Sequence, residues 1–387
     1  MSQPPGNYQY EIYLQGLADT RPGLPITVED LERRAREVLA GEAYDYVAGG
    51  AGAERTARAN REAFDAWRIV PRMLVDVSER DLRVELLGLE LAAPLLVAPV
   101  GVLSIVRPDG ELEVARAAAG LGVPLVLSNA ASATIEDVAA AMGEAPRWFQ
   151  LYWPADRELA ASFVRRAEAA GYGAVVVTLD TRLLAWRPRD VAAAYLPFLR
   201  GEGVAIYFSD PVFRDKLEAA PEEDPQAAIG QWALQFPNPG LTWEDLRFLR
   251  DHTRLPILVK GVLAPDDARR ALHAGVDGIV VSNHGGRQVD GALGALAALP
   301  GVVEAVPSDV PVLFDSGIRT GADMVKALAL GARAVLVGRP WVWGLALGGE
   351  EGVRAVLRAL LADFDLTLAL SGHAAVSELG AESLVAA

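Results

Sequence analysis

The chain has 387 residues, of which 51% are hydrophobic and 22% are charged, and it contains no cysteine. This composition is typical of a globular protein with a large core, and it excludes disulfides, thiolate metal sites and a cysteine nucleophile. The formal net charge of -15 argues against nucleic acid or an anionic membrane surface as a partner, because both would repel the chain. An anionic substrate would therefore need a local cationic pocket.

The N-terminal residues MSQPPGNYQYE have neither the basic start nor the apolar run of a signal peptide. The longest uncharged apolar stretch, residues 91–106, is interrupted by prolines and is too short for a membrane span. We interpret this stretch as a buried strand with its loop. We therefore expect a cytoplasmic protein.

Residues 1–90 precede a regular pattern and are expected to form a cap and a lead-in. Within them, residues 27–50 are predicted as one amphipathic helix with Leu31 and Ala35 on its apolar face. The pair Gly49–Gly50 would end this helix, since glycine is favoured just past a helix end. We expect the helix to cover one end of the domain that follows.

Eight short, β-branched apolar runs come next, each followed by an alanine-rich segment with helical spacing. They lie at residues 94–101, 124–129, 147–153, 174–181, 256–262, 278–284, 310–317 and 334–340. Capping-box spacing marks helix starts at Thr134 with Asp137 and at Thr242 with Asp245. Buried strands separated by helices indicate a parallel sheet, and eight such units predict an α/β fold, a single (β/α)8 TIM barrel.

A doubly wound sheet is the structural alternative. It would need a glycine-rich dinucleotide turn after the first strand, and PVGVLSIVRPDG does not fit that pattern. The connection after the fourth strand, residues 182–241, is far longer than a normal loop of a barrel. Such a segment is either a lid over an active site or disordered. No linker or low-complexity tract divides the chain, so we predict one domain over residues 1–387.

The strand ends are polar, and the active site of such a barrel lies where its strands end. These polar residues are Ser128, Gln150, Tyr152, Thr178, Asp180, Lys260, Ser282, His284, Asp315 and Arg339. Burying charges without partners costs several kcal/mol, so a barrel without a function at this face would rarely carry them. The pattern therefore indicates a catalytic site.

His284 is the candidate general base, because it ends a buried strand and two glycines after it allow a ligand to come close. The alternative is a hydrogen-bonded structural histidine. Asp180 could face His284 and stabilise the imidazolium, or cap the turn that follows. Arg187 and Arg287 would supply bidentate partners for a carboxylate, although Arg187 could be a solvated loop residue. A phosphate would suit the glycine-rich ends of the last two strands, with Arg319 or Arg339 as counter-charge.

Several segments resemble the FMN-dependent 2-hydroxy-acid oxidases and dehydrogenases, a family that includes glycolate oxidase, lactate oxidase and lactate 2-monooxygenase. The most specific are FQLY (149–152), LPILVKG (255–261), SNHGGRQVDG (282–291), DSGIRTGADMVKALALGA (315–332) and VGRP (337–340). EIYLQGL (11–17), WRPRD (186–190), PFLRGEG (197–203) and YFSDPVF (207–213) are most similar to lactate 2-monooxygenase. The resemblance implies oxidation of L-lactate by O2 to acetate, CO2 and water.

The resemblance also implies FMN as the cofactor, no metal, His284 as the base and Asp180 as its partner. Tyr46, Tyr152, Arg187 and Arg287 would hold the substrate. The implied FMN contacts are Ala98, Pro99, Val100, Ser128, Gln150, Thr178, Lys260, Ser282, Asp315, Ser316, Gly317, Arg319, Gly338 and Arg339. Lys260 would balance the charge of the reduced ring, or instead form a structural ion pair with Asp315. The family resemblance further implies a homo-oligomer, a tetramer or an octamer.

Three positions depart from the family pattern. Ala130 stands where glycolate oxidase has a bulky aromatic residue, Ala185 replaces a usual glycine, and Asp290 stands where a monooxygenase has asparagine. Two other outcomes stay open: a lactate oxidase that releases pyruvate and H2O2, and a dehydrogenase with another acceptor. A phosphate-binding isomerase, a nucleotide dehydrogenase and a non-catalytic scaffold are further alternatives. The nucleotide dehydrogenases use a cysteine that this chain lacks, and a scaffold would not need His284.

Overall fold

Eight parallel strands form a closed barrel in the computed structural model, which describes residues 4–387. We number these strands along the chain, and each lies within one of the predicted runs. They are β1 (Leu95–Val97), β2 (Leu125–Ser128), β3 (Arg147–Leu151), β4 (Val175–Thr178), β5 (Ile257–Val262), β6 (Gly278–Val281), β7 (Val312–Asp315) and β8 (Ala334–Val337). Pairing of β8 with β1 closes the barrel. The predicted (β/α)8 barrel, with a helical cap and a long loop after β4, is confirmed.

Side chains of the strands alternate between the barrel interior and the surrounding helices, because successive residues of a strand point to opposite faces. Leu96 belongs to the cluster inside the barrel, whereas Leu95 packs in the larger cluster with the helices. The antiparallel hairpin of Val84–Leu86 and Leu89–Leu91 contributes to the inner cluster. It therefore closes the end of the barrel at which the strands begin.

Helices surround the barrel and cover its two ends. The α-helices are Tyr8–Gly16, Val28–Val38, Gly41–Ala48, Arg55–Asp65, Gly110–Leu121, Ile135–Met142, Arg157–Ala169, Pro188–Ala192, Ala205–Phe208, Pro211–Arg214, Pro225–Gln235, Asp245–Arg250, Pro265–His273, Ala295–Ala305, Gly321–Ala329 and Arg339–Leu370. Short 3-10 helices are Pro5–Asn7, Leu103–Ile105, Pro197–Arg200, His284–Gly286, Val376–Glu378 and Ala381–Ser383. Trp67–Ile69 pairs antiparallel with Leu384–Ala386. No helix within residues 4–387 has both the length and the apolar character that crossing a bilayer requires.

The helix predicted over residues 27–50 is in fact two helices. Val28–Val38 begins at Thr27, whose side chain accepts a hydrogen bond from the Asp30 amide, and it ends where Leu39 is extended. Gly41–Ala48 then starts in a new direction. The apolar pattern continues through this break, which is why the periodicity did not reveal it. The break brings Tyr46 and its neighbours to the mouth of the barrel.

The two predicted helix starts have different outcomes. Thr134 caps Ile135–Met142 as expected, because its side chain accepts a hydrogen bond from the Asp137 amide at 3.1 Å. The helix expected near Thr242 begins at Asp245 instead. There the Asp245 carboxylate accepts from the Thr242 amide at 2.7 Å, and this bond closes a turn before the helix.

Residues 182–241 fold into several short helices around an aromatic cluster. The rings of Phe198 and Trp232 stack with centroids 4.6 Å apart, and Trp232 lies 5.6 Å from Phe236. Prolines begin most of these helices, where their missing amide hydrogen is not needed. The segment therefore places a folded aromatic wall beside the strand ends.

Candidate active site

A cavity of about 1070 Å³, including its open mouth, lies at the carboxyl ends of the strands. Its wall has three sources: the strand ends, the helix Gly41–Ala48 and residues 182–241. The residues predicted for the site that line it are Tyr46, Ala98, Pro99, Val100, Tyr152, Arg187, Lys260, His284, Arg287, Asp315, Ser316, Gly317, Arg319, Gly338 and Arg339. One space thus brings together most of the predicted side chains.

His284 and Asp180 form a hydrogen-bonded pair at this mouth. The Asp180 carboxylate lies 2.9 Å from His284 Nδ1, and the Tyr152 hydroxyl lies 3.3 Å from His284 Nε2. Burial lowers the pKa of His284, although the Asp180 carboxylate favours the protonated ring. Burial would raise the pKa of Asp180, but the charges of His284 and Lys260 bring it below the usual value. A neutral imidazole beside an ionised carboxylate is the state required of a general base.

The backbone around this pair is unusual. His284 has a φ of +58°, a left-handed conformation that residues other than glycine seldom adopt and that often marks a functional site. Gly261 has a φ of +105°, and a Cβ there would lie 2.8 Å from the side chain of Asp180. Any larger residue at this position of β5 would displace Asp180.

Thr181 contacts both residues of the His284–Asp180 pair, and the sequence analysis did not identify it. Its hydroxyl donates to Asp180 Oδ1 at 3.0 Å and lies 3.2 Å from His284 Nδ1. The only signal was its place directly after Asp180 at a strand end. Threonine is common at such positions for many reasons, so this signal was weak.

Two arginines face the same pocket. Arg187 is buried and donates through Nε to the carbonyl of Arg287 at 3.2 Å. Arg287 donates to the carbonyl of Gly49 at 2.7 Å, and its guanidinium lies 5.1 Å from the centre of the Tyr46 ring. Burial and the nearby charge of Arg187 lower the pKa of Arg287 to about 10. A pair of buried like charges is favourable for binding an anion.

Lys260 and Asp315 form an ion pair at 3.0 Å. The Ser282 hydroxyl joins them, since it donates to Asp315 at 2.8 Å and accepts from Lys260 at 3.1 Å. The structural ion pair weighed for Lys260 thus exists, and Lys260 still lines the cavity. Burial would lower the pKa of Lys260, but the charges of Asp315 and Asp180 raise it. The cavity therefore has a permanent cation on this side.

A second cationic region lies where β7 and β8 end. Burial, together with the charges of Arg287 and Arg319, lowers the pKa of Arg339 to about 9. Burial and the charge of Arg61 also lower the pKa of Arg319. A Cβ on Gly338 would have no atom closer than 3.8 Å, so a ligand can approach this backbone. These features fit a phosphate group, which would neutralise the buried guanidinium groups.

Ser128, Gln150 and Thr178 are buried at the ends of neighbouring strands. The register places Ser128 opposite Gln150 and Thr178 opposite Lys260. The Gln150 side chain accepts from Ser128 at 3.2 Å, but within residues 4–387 its Nε2 has no hydrogen-bond partner, and neither does the Thr178 hydroxyl. Buried polar atoms of this kind ordinarily have a partner. They fit the polar edge of a flavin ring, so the residues present suit FMN.

The structure adds an apolar wall, of which the sequence analysis had singled out only Ala130, as a departure from the family pattern. Its members are Val102, Ala130, Leu184, Phe198 and Phe236. Three of these come from residues 182–241, where no periodic pattern predicts which side chains face the barrel. The predicted residues Asp180, Ser128, Gln150, Thr178 and Ser282 do not line the cavity itself. Gln150 and Thr178 keep unpartnered polar atoms at these strand ends, whereas Asp180 and Ser282 hydrogen-bond to His284, Lys260 and Asp315, which do line the cavity.

Comparisons with known proteins agree with this geometry. The family model described as FMN-dependent dehydrogenase matches residues 35–386. The FMN-dependent alpha-hydroxy acid dehydrogenase qulF of Penicillium citrinum is 48% identical over 377 residues, which is 96% of this chain and 94% of that protein. The L-lactate oxidase of Lysinibacillus sphaericus is 42% identical over 375 residues, which is 97% of this chain and 96% of that protein. A crystal structure of mandelate oxidase superposes with a TM-score of 0.83 at 40% identity and covers 94% of this chain and 98% of its own.

Proposed function

The chain belongs to the family of FMN-dependent 2-hydroxy-acid oxidases and dehydrogenases, and we propose that within this family it oxidises a short L-2-hydroxy acid, L-lactate first among them. The observation that carries this proposal is the meeting of His284, which is hydrogen-bonded to Asp180, with the two arginines Arg187 and Arg287 in one cavity. A base and an anion site are what a 2-hydroxy acid requires. FMN, when bound, takes up the two electrons of the substrate and returns them to an acceptor.

The chain itself binds the acid and moves its proton. In our proposal Arg187 and Arg287 hold the carboxylate, with Tyr46 beside them. His284 Nε2 accepts a proton from the substrate, and Asp180 stabilises the imidazolium through Nδ1. Burial raises the pKa of Tyr152, so its hydroxyl stays protonated and donates to the substrate oxygen. Lys260 offsets negative charge that develops on the cofactor side.

The apolar wall favours a small aliphatic substituent on the substrate. Val102, Ala130, Leu184, Phe198 and Phe236 offer no hydrogen-bonding side chain to it. A methyl group would be buried there without leaving a polar group unpaired, whereas a second carboxylate or a hydroxyl would lose its hydration. This supports L-lactate and acids of similar size.

The fate of the keto acid depends on how long it stays bound. We propose residues 182–241 as the lid that retains pyruvate beside the peroxide formed from O2, so that the two react to acetate, CO2 and water. The overall reaction, lactate and O2 to acetate, CO2 and water, is balanced. The motifs similar to lactate 2-monooxygenase, WRPRD (186–190) and PFLRGEG (197–203), lie within this segment and support it.

Early release of pyruvate is the second candidate, and it would make the enzyme a lactate oxidase. The 42% identity to the L-lactate oxidase of Lysinibacillus sphaericus favours this alternative. Relatives named as dehydrogenases, such as qulF, support a third candidate, a dehydrogenase that passes the electrons to an acceptor other than O2.

Aerobic turnover of L-lactate by the purified, yellow protein separates these outcomes. Acetate, pyruvate and peroxide would be measured against the O2 consumed, without added catalase. We expect acetate to match O2, with little peroxide. Pyruvate and peroxide in equal amounts would establish the oxidase, and flavin bleaching without O2 uptake would point to a dehydrogenase. No flavin reduction by any short L-2-hydroxy acid would contradict the proposed function.

Substituting Ala130 by phenylalanine should shift the preference toward smaller acids. Ala130 lies in the cavity wall, and Gly101 packs against its side chain, so a phenyl ring at this position has to enter the cavity. We expect the kcat/KM ratio of L-lactate to glycolate to fall by about tenfold or more, the usual effect of one methyl group in a tight pocket. Ala193→Phe, a substitution at an exposed position within residues 182–241, is the control. An unchanged kcat/KM ratio would mean that the methyl group of L-lactate does not lie next to Ala130.

The pH profile of kcat/KM should report on His284. Burial keeps the pKa of His284 below 6.5, so the base is neutral at pH 7 and activity should fall only as the pH drops through that lower pKa. The Asp180 charge raises this pKa. Asp180→Asn should therefore move the acidic limb to lower pH while it decreases the plateau. If the acidic limb moved to higher pH or did not move, Asp180 would not be raising the pKa of His284.

A further inference from the structure

The side chain of Gln288 connects three parts of the site. Its Nε2 donates to the carbonyl of Asp180 at 2.8 Å and to the carbonyl of Leu183 at 3.2 Å. Its Oε1 accepts from Arg187 Nη2 at 2.8 Å. Gln288 lies four residues after His284, on the loop that follows β6. One amide thus joins the loop of the proposed base to the beginning of residues 182–241.

Only an amide satisfies all these partners. Two carbonyl oxygens require a donor, and a guanidinium requires an acceptor, so the chemistry of the neighbours also fixes which way the amide points. A glutamate would place an oxygen against the two carbonyls. An apolar side chain of the same length would leave a buried guanidinium nitrogen without this partner, which is costly.

Arg187 has few other restraints on its direction. Among the described residues, the other polar contacts of its side chain are the hydrogen bond to the Arg287 carbonyl at 3.2 Å and an Asp190 carboxylate at 4.0 Å, too far for a hydrogen bond. It lies in a loop, just before the short helix Pro188–Ala192. The acceptor on Gln288 is therefore the strongest determinant of where its guanidinium points.

We propose that Gln288 is a positioning residue that aims Arg187 at the substrate carboxylate and fixes the first residues of the segment 182–241. The part that concerns the carboxylate rests on the proposed function. The part that concerns the segment rests on the hydrogen bonds to Asp180 and Leu183 alone. The His284–Asp180 contact does not pass through the Gln288 side chain, so chemistry after binding should be affected less than binding.

Gln288→Met tests the first part, because methionine has a similar length and no amide. We expect the KM for L-lactate to rise by about tenfold and kcat to change by less than about threefold, as loss of one hydrogen bond to a charged group predicts. In an Arg187→Met background the same substitution should have almost no further effect on KM, because its partner is absent. Gln226→Met, an exposed glutamine on Pro225–Gln235, is the matched control. An unchanged KM, or equal effects with and without Arg187, would overturn this part.

Hydrogen–deuterium exchange of the holoprotein without substrate tests the second part. Backbone amides of residues 182–192 should exchange several-fold faster in Gln288→Met than in the parent and in Gln226→Met. Gln288→Glu should show the same acceleration, although it keeps an acceptor for Arg187. Equal exchange rates of residues 182–192 in all variants would show that Gln288 does not fix the beginning of the segment 182–241. If the parent oxidised no short 2-hydroxy acid, the proposed function would fail, and the exchange rates would still decide the role of Gln288.

Discussion

His284→Gln should lower kcat for L-lactate oxidation by on the order of 10³-fold, the middle of the range for a lost general base. Glutamine fills a similar space and can bond to Asp180, but it cannot accept a proton near neutral pH. Asp180 would keep the hydrogen bond from the Thr181 hydroxyl and the favourable charge of Lys260, because neither passes through the imidazole. We therefore expect a folded, yellow protein that binds the acid and hardly oxidises it.

The measurement is anaerobic reduction of the flavin by L-lactate, followed at its visible absorbance in rapid mixing. This isolates the step that His284 serves from later reaction with O2. His252→Gln is the control, since His252 contacts Phe248 on the helix Asp245–Arg250 and does not line the cavity. A reduction rate within tenfold of the parent would remove His284 from the role of base.

The barrel was predictable because its strands are buried on both faces. The strands Val175–Thr178 and Gly278–Val281 are apolar without alternation until the polar residues Thr178 and Ser282. In a parallel barrel these ends meet at one rim, so the sequence indicated which polar side chains would lie together. That rule located His284, Asp180 and Lys260 at one rim before any distance was known.

What the sequence could not predict depends on contacts between distant parts of the chain. The break at Leu39 leaves the apolar period intact, so residues 27–50 looked like one helix. Leu184, Phe198 and Phe236 reach the cavity through a loop whose path is set by aromatic stacking, not by a repeat. Such contacts have no local signature.

Motifs predicted the positions of side chains better than their partners. SNHGGRQVDG indicated the base and an arginine, yet the bonds of Gln288 to Asp180 and Arg187 span about a hundred residues of chain. Lys260 was weighed as a flavin contact or as an ion pair with Asp315, and the structure places it both in the pair and in the cavity lining. The two interpretations were therefore not exclusive.

Arg319→Met should weaken FMN binding by about 100-fold, because a buried cation facing a phosphate contributes a charge-assisted hydrogen bond as well as charge. The side chain of Arg319 donates to its own neighbour, the Ile318 carbonyl, at 2.8 Å, so its removal should disturb the fold little. Arg339 is less suitable for this test, since it also binds the carbonyls of Val47, Gly49 and Gly285. The substitution at Arg319 therefore removes a positive charge without removing hydrogen bonds to the helical cap.

The comparison of FMN with riboflavin makes this prediction specific. Apoprotein would be titrated with each flavin and the quenching of flavin fluorescence recorded. Riboflavin lacks the phosphate, so its affinity should be nearly the same for the parent and for Arg319→Met, whereas FMN should lose its advantage over riboflavin. Equal losses for the two flavins would mean that Arg319 supports the fold of the site and does not bind the phosphate.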